Sequence, residues 1–471
     1  MTAPTTAHAD QPDHGPEAPE ASEASEASAG VDALESLESS GTPAAPDGPL
    51  PPERPGRRLI PALLRVTEFR RYWTGQTVSA VGDQITLIVL PLVAVTTLHA
   101  DAGRMGLLTA AGWLPSLLFA LHAGTWADSR SDRRRIMIAA DIGRAVLLLT
   151  VPIAYLLGAL TLTQLFVVAF AMGTLSVLFD VCNPPLFVSV VPADRYVEGN
   201  SLVNGSRAMS AAAGPGLGGG LVQLLAAPLA LVADALSFLA SALALGSIRP
   251  TEPPAEPRSR GRISAGLKFI ATTPVMRAAL LGTATVNLFT FMIAALFVLY
   301  ATTELGLSAG LLGAVLSAGA VGGLLGAAVT GRISRRIGIG RAAVLGLIAY
   351  PAPLLLIPAA RGGTWTVVGL LLAAVFGSGI GVMILDITVG SLFAAVIPDR
   401  LRSRVSGAYQ AVNYGIRPLG SLLGGVLGST LGLRPALWVA AVGALTSFLW
   451  LLPSPIPGLR TLPDSQEEKG S

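Results

Sequence analysis

The sequence predicts an all-α membrane protein of twelve transmembrane helices, arranged as two parallel repeats of six. Three observations lead to this fold class. First, 52% of the 471 residues are hydrophobic and only 13% are charged, whereas an average soluble domain carries about 25% charge. Second, long apolar stretches follow one another from Trp73 onward. Third, residues of the first half of the chain recur about 206 positions later.

The chain begins with an acidic segment of low hydrophobicity, residues 1–58. Its first 53 residues contain eleven Asp and Glu and no Lys or Arg. Such a composition buries too little apolar surface to offset the entropy cost of ordering the chain. We therefore expect a disordered acidic tail. No basic segment with a short apolar stretch precedes the first span, so we expect no cleavable signal peptide.

Twelve apolar stretches follow this tail, each long enough to cross a hydrocarbon core about 30 Å thick at about 1.5 Å per residue. Lipid cannot satisfy the hydrogen bonds of an exposed backbone, and the stretches lack the alternation of barrel strands, so we expect helices. The predicted spans are 73–98, 105–126, 136–157, 162–190, 202–225, 228–247, 278–302, 309–330, 342–360, 366–396, 406–431 and 435–452.

The polar loops set the domain boundaries and the orientation. We expect an N-terminal half at 59–247, a cytoplasmic linker at 248–277, a C-terminal half at 278–455 and a disordered C-terminal tail at 456–471. The loops on one side of the membrane, with the segments that flank the spans, hold 26 Lys and Arg, and the opposite loops hold three. Because cytoplasmic loops retain positive charge, both termini are predicted to be cytoplasmic. The Arg-, Ala-, Gly- and Pro-rich composition suggests a bacterial genome and thus a bacterial plasma membrane.

The repeat is visible in spans 2, 4 and 5, which match spans 8, 10 and 11. Gly218 and Gly219 match Gly424 and Gly425. The pairs in spans 4 and 10 and just beyond them are Gly173 and Gly379, Asp180 and Asp386, Phe187 and Phe393, and Pro192 and Pro398. In span 2, Gly106, Gly112 and Gly124 match Gly313, Gly319 and Gly331. Six is an even number, so the two halves share one orientation and are related by an axis along the membrane normal.

Eight ionisable side chains fall inside the spans, where each costs several kcal/mol unless it is paired or faces water. Asp83 and Asp234 lie near the middle of spans 1 and 6. Removing a carboxyl group from water favours its protonated form, so both are candidate proton carriers, Asp83 first; a structural role is the alternative. Arg207 and Arg417 either bind substrate anions or pair with aspartates as scaffolding.

Asp180 and Asp386 lie near the cytoplasmic ends of spans 4 and 10, at equivalent positions of the repeat. This symmetry favours a role in structure or gating, with both carboxylates facing the basic loops.

A motif with family character lies between spans 2 and 3. It runs Gly124-Thr-Trp-Ala-Asp128-Ser-Arg130-Ser-Asp-Arg133-Arg134-Arg135. It resembles the loop signature of the major facilitator superfamily, although Ser131 stands where many members have a second Gly. The resemblance implies a latch that joins the halves on the cytoplasmic face, with the start of span 11 near Ser403–Ser406 offering backbone donors to Asp128. Alternatively, the arginines only set the topology.

Span 5 contains a second motif, Gly214-Pro215-Gly-Leu-Gly218-Gly219. It is similar to the motif of the antiporter branch of that family, and close helix packing through small residues is an equal alternative. Further resemblance, to macrolide-efflux and enterobactin-exporter-like members, comes from Phe69-Arg-Arg-Tyr-Trp73-Thr-Gly75-Gln76, Gly82-Asp83-Gln84 and Asp141-x-x-Arg144. The resemblance covers residues 66–455 and implies the fold and export.

The sequence argues against several other functions and sites. Neither lysine, Lys268 or Lys469, follows a Gly, so a phosphate loop is missing. The single cysteine, Cys182, excludes an internal disulfide and a cysteine metal cluster, and the four His form no zinc motif. Gly306-Leu-Ser308-Ala-Gly310 matches a hydrolase elbow only formally, because it lies in a short loop with no strand before it. We expect no enzyme activity, no cofactor or metal, and no nucleic-acid partner, since the basic loops are short and lack aromatic residues.

The remaining function is secondary active transport. We expect a monomer in the lipid bilayer that exchanges protons for a small amphipathic molecule, such as an antibiotic or a siderophore, and exports it. A proton-coupled importer and a non-transporting sensor or scaffold are the alternatives.

Overall fold

The structure is a computed structural model that describes residues 61–128, 130, 132–250 and 263–461. The predicted N-terminal tail lies outside these residues. Every long element within them is an α-helix, and they contain no strand. All of the described residues belong to one compact unit. The predicted all-α class is confirmed.

Six long helices form the first half. Their ends agree with the predicted spans to within a few residues, because the apolar stretches continue into polar first and last turns that remain helical. The helices are α1 (Thr67–Leu92), α2 (Ala102–Asp128), α3 (Arg133–Leu156), α4 (Leu162–Val190), α5 (Tyr196–Leu224) and α6 (Ala227–Gly246). A π-helical segment, Val93–Thr97, extends α1.

The second half repeats this arrangement, with one extra short helix before it and one span divided into two helices. Its elements are α7 (Ile263–Thr272), α8 (Pro274–Thr303), α9 (Ala309–Ile337), α10 (Ile339–Ala349), α11 (Leu356–Ala359), α12 (Thr364–Val396), α13 (Arg402–Leu431) and α14 (Leu433–Leu445). The ninth predicted span is divided between α10 and α11, because Pro351 and Pro353 interrupt the helical hydrogen bonds.

Nine helical segments among the described residues are long and apolar enough to cross a membrane. Three further helices of 27 to 30 residues, α2, α5 and α13, have comparable lengths. The total of twelve crossings stays a prediction.

The two halves are built alike, and pairs of repeat-related glycines show it. In the first half Gly173 of α4 lies so close to the carbonyl oxygen of Gly112 on α2 that a Cβ atom would clash with it. In the second half Gly379 of α12 stands in the same relation to Gly319 of α9. The sequence repeat therefore corresponds to a repeated helix contact.

The halves meet along two helix pairs, α2 with α13 and α5 with α9. A Cβ on Gly106 of α2 would lie 2.7 Å from the Cα of Gly425 on α13, and a Cβ on Gly313 of α9 would lie 3.2 Å from the Cα of Gly219 on α5. Both contacts occur where α2 and α9 begin and where α13 and α5 end. One hydrophobic core continues across the two halves around this end. The bundle is therefore closed at this end.

Two segments differ from their predicted state. The linker contains helix α7, which packs on the start of α13: Gly266 touches the carbonyl oxygen of Arg404, and Ile270 is buried with Val405. The arginines around α7 conceal this short apolar face in the sequence. The described part of the predicted C-terminal tail is also packed, since Ile456 is fully buried and Gly340 donates a 3.0 Å hydrogen bond to the carbonyl of Leu459.

Candidate functional site

A buried charged cluster surrounds Arg144 of α3. Arg144 forms an ion pair with Asp141, one helical turn earlier, and both side chains are almost completely buried. Nη1 of Arg144 also lies 3.8 Å from Oδ1 of Asp83 on α1. The ring centroids of Phe179 on α4 and Phe238 on α6 lie 4.6 and 4.2 Å from Cζ of Arg144. One cation thus joins four helices, and two carboxylates and two aromatic faces balance its charge.

Asp83 is the member of this cluster that meets open space. Its side chain is 48% exposed, and it lines a cavity of about 240 Å³ between α1, α2 and α4. Thr86 and Trp113 line the same cavity. A proton that enters the cavity can therefore reach a carboxylate that also touches a buried cation.

Asp234, the second candidate proton carrier, is not exposed to solvent. It is fully buried on α6 and accepts hydrogen bonds from Ser237 at 2.8 Å and from Thr86 on α1. Gly82 permits this approach of α1 to α6, because a Cβ there would collide with the Asp234 carboxylate. Thr86 faces the cavity of Asp83 and donates to Asp234, so its hydroxyl links the two candidates.

Two further charged candidates of the first half lie inside the spans, Asp180 and Arg207. Asp180 of α4 and Arg207 of α5 are both exposed, and neither has an oppositely charged group within 4.0 Å among the residues that the structure describes. Arg207 still lies near enough to attract Asp83 and Asp180. The structure thus places Arg207 beside the Arg144 cluster and outside its direct contacts.

Arg417 of α13 is another arginine inside a span, in the other half and at a position unrelated to Arg144 by the repeat, and its surroundings differ. Three rings lie 4.4 to 4.9 Å from its Cζ: Trp113 of α2, Phe291 of α8 and Tyr414 of α13. Within the described part of the chain, no carboxylate lies within 4.0 Å of Arg417, and its buried Nε has no hydrogen-bond partner. Aromatic faces surround this guanidinium, but no anion in close contact neutralises it.

Arg417 lines a second cavity, of about 300 Å³, between α8, α12 and α13. Its polar wall is organised by two hydrogen bonds. Asn287 donates to Oδ1 of Asn413 at 2.9 Å, and the hydroxyl of Tyr409 donates to Thr283 at 2.7 Å. The other polar residues that line it are Tyr350, Asp386, Gln410 and Tyr414.

Asp386 was expected near the gate and lies in the wall of this cavity. Its repeat mate Asp180 does not line either cavity described above. A shared gating role for the two carboxylates stays a prediction.

The loop that resembles the family latch is described only in part. The side chain of Asp128 and the surroundings of Gly124 lie outside the described residues. Arg134 donates to the carbonyl of Ile248, which follows α6, and the exposed Arg135 pairs with Asp132 at 3.4 Å, while Arg133 is buried. These contacts of Arg134 and Arg135 reach the end of α6 and the loop before α3, and a latch to α13 stays a prediction.

The glycine motif of α5 lies between two neighbours. Gly214 packs against Gln84 of α1, and Gly218 lies 2.8 Å, measured from an added Cβ, from a methyl group of Ile88 on α1. Pro215 and Gly219 instead face Gly313 on α9. The motif therefore allows α5 to approach a helix of its own half and a helix of the other half.

Sequence analysis missed three contributors to these sites. Asp141 and Arg144 were counted among the eight ionisable residues of the spans and noted for family resemblance but given no site role, although their spacing of three residues already indicates a pair on one helix face. Trp113 gave no signal, because its importance comes from lining the Asp83 cavity while its ring contacts Arg417.

Comparison with known proteins gives a consistent result. The family model described as Major Facilitator Superfamily matches residues 72–421. A curated relative, an uncharacterized MFS-type transporter of Bacillus subtilis (strain 168) named YfiS, is 28% identical over 382 residues, which are 77% of this chain and 87% of the relative.

Two solved structures share the fold. A bacterial homologue of the iron transporter ferroportin, in an inward-facing state, has a TM-score of 0.68 and 17% identity over 83% of this chain and 99% of its own. A bacterial homologue of the human lysosomal transporter Spinster, inward-facing and unoccupied, has a TM-score of 0.64 and 13% identity over 83% of this chain and 97% of its own.

Proposed function

From the premise that the chain belongs to the major facilitator superfamily, a superfamily of multi-pass membrane transporters, we propose that it is a proton-coupled exporter of small amphipathic molecules. It works in a bacterial plasma membrane with both termini in the cytoplasm. The observation that carries the proposal is Asp83, a carboxylate inside the helical bundle that meets a cavity and lies 3.8 Å from a buried arginine.

Arg144 has two carboxylate neighbours, and this arrangement allows Asp83 to change its charge. When Asp83 binds a proton at its carboxylate, its attraction to Arg144 weakens. Asp141 remains paired with Arg144, so no buried cation is left without a counterion, which would cost several kcal/mol. Asp83 can therefore gain and lose a proton while the cluster stays neutralised.

The proposed alternating access involves the contacts between the halves. The two glycine contacts, Gly106 with Gly425 and Gly219 with Gly313, close one end of the bundle. By the charge distribution of the loops, we assign this closed end to the outer side of the membrane. Export requires both contacts to part together, and contacts between small residues can separate without rearranging side chains.

Export, in preference to import, is supported by the Gly214-Pro215 motif and by its position. The motif touches α9 of the other half at the closed end. It therefore lies where the two halves must separate when the outward path opens.

The proposal is tested with purified protein in liposomes. Uptake of radiolabelled naphthalene-1-sulfonate, erythromycin and ethidium is measured under an imposed pH gradient with an acidic interior, a sodium gradient or a membrane potential. We expect the pH gradient alone to drive accumulation of at least one compound above the level reached in protein-free liposomes under the same gradient. Accumulation that follows sodium or potential and ignores pH would refute proton exchange, and no transport under any gradient would refute the proposed function for these compounds.

A further inference from the structure

We propose that Arg417 binds the charged group of the substrate, and that the transported molecules are organic anions with a flat apolar body. This inference rests on the proposed transport function and specifies its substrate class. The observation behind it is the contrast between a buried arginine with two carboxylate neighbours and one that has none within 4.0 Å in the described part of the chain.

The charge of Arg417 is the first feature that favours an anion. A partly buried guanidinium without a counterion is unfavourable, and aromatic faces offset only part of that cost. Arg417 retains its charge in a protein because guanidinium groups do not release their proton. An anion that enters the cavity therefore gains an attraction that nothing in direct contact already satisfies.

The fixed orientation of the Arg417 guanidinium is the second feature that favours an anion. Trp113, Phe291 and Tyr414 hold the guanidinium in a fixed position at the edge of the cavity. A planar guanidinium held in this way presents paired N–H donors, which suit the oxygens of a carboxylate, sulfonate or phosphate. Rigid aromatic packing keeps the ordering cost low when such an anion binds.

The lining of the cavity indicates what the uncharged part of the substrate is like. The cavity of about 300 Å³ adds amide and hydroxyl groups of Asn287, Gln410 and Tyr350 to apolar walls such as Val286 and Leu385. This mixture suits a small molecule with an apolar body and a few polar substituents. Trp113 connects the site to the cavity of Asp83, so the anion and the proton bind on neighbouring surfaces.

Asp386 is the one carboxylate among the residues that line this cavity. It lies beyond 4.0 Å from Arg417, so it leaves the guanidinium edge available, yet it repels an incoming anion. The proposal therefore predicts opposite effects for the two charged residues: removing Arg417 weakens anion binding, and removing the charge of Asp386 strengthens it.

The test measures equilibrium binding of three probes with one naphthalene ring to the detergent-solubilised protein: naphthalene-1-sulfonate, naphthalene-1-sulfonamide and 1-naphthylmethylammonium. We expect the wild type to prefer the sulfonate. Arg417→Gln should bind it about tenfold more weakly or worse, as for loss of a charge-assisted hydrogen bond, Arg417→Lys should recover part of the loss, and Asp386→Asn should bind about threefold more tightly. The control is Arg434→Gln, since Arg434 also stacks on a tyrosine, Tyr300 at 5.7 Å, but lies outside the cavity.

Several outcomes overturn the inference without touching the transport function. The inference is wrong if the wild type binds 1-naphthylmethylammonium or naphthalene-1-sulfonamide more tightly than the sulfonate. It is also wrong if Arg417→Gln binds the sulfonate as tightly as the wild type. If Arg417→Gln does not fold, Asp386→Asn decides, because weaker or unchanged sulfonate binding in that variant contradicts the proposal. Gradient-driven uptake of ethidium with no sulfonate binding would leave transport intact and refute the anion class alone.

Discussion

Arg144 and Arg417 lie in opposite halves of the molecule and differ in what balances their charge. Arg144 is almost completely buried, pairs with Asp141, and has Asp83 at 3.8 Å. Arg417 is only half-buried, touches three aromatic rings, and has no carboxylate within 4.0 Å among the residues described here. The helix framework around them is repeated, as the paired glycine contacts show.

The difference indicates a division of roles within a symmetric framework. A compensated cation with one cavity-facing carboxylate can accommodate a proton at little cost, whereas an uncompensated cation beside a polar cavity attracts an anion. At position 234 the first half has a buried aspartate, and at the repeat-related position 440 the second half has an alanine. The two halves therefore share a helix scaffold, and the proposed chemistry depends on charged residues that differ between them.

The largest effect on transport is expected from disulfide bonds that lock the two halves together at the closed end. A Cβ at Gly103 lies 3.2 Å from the hydroxyl of Ser429, and Gly310 faces Gln223 at the repeat-related position. Disulfides in Gly103→Cys/Ser429→Cys and in Gly310→Cys/Gln223→Cys should each abolish transport, because the closed end can no longer open. The native Cys182 is fully buried and does not compete.

Transport is measured before and after addition of dithiothreitol, with each single cysteine variant as the control. Reduction should restore activity in both pairs. Undiminished transport by a fully cross-linked protein would show that this end does not open during the cycle.

The next largest effect is on stability, and it is expected to differ between Arg144 and Arg417. Arg144→Gln leaves two carboxylates without their cation and should lower the free energy of unfolding by about 3–5 kcal/mol. Arg417→Gln loses cation–aromatic contacts but also relieves an uncompensated charge, so the two effects oppose each other and the net change should be smaller than about 1 kcal/mol. Thermal unfolding in the same detergent compares the two variants. Adding Asp141→Asn to Arg144→Gln should recover part of the lost stability, and equal destabilisation by the two single variants would remove the distinction on which this account depends.

The helices and the repeat could be predicted from the sequence because they follow from local hydropathy and from spacing. The site could be predicted only in part. Asp83 and Asp234 were found as charges within apolar spans, but their difference in access depends on Gly82, which brings α1 against the Asp234 carboxylate. The surroundings of Arg417 come from three helices, so no local pattern reports them. Helix α7 was missed because a ten-residue segment in an arginine-rich linker gives too little signal.

The claim that Asp83 carries the exchanged proton is tested most directly by comparing Asp83→Asn with the wild type in liposomes. Asparagine resembles the protonated aspartate but cannot release a proton. With the compound that the wild type accumulates under an acidic interior, Asp83→Asn should show no gradient-driven accumulation, yet it should still bind that compound and exchange it across the membrane without a gradient. Asp234→Asn, altered at the sealed carboxylate, serves as the matched comparison. Gradient-driven accumulation that persists in Asp83→Asn would contradict the account, and a defect confined to Asp234→Asn would move the proton site to α6.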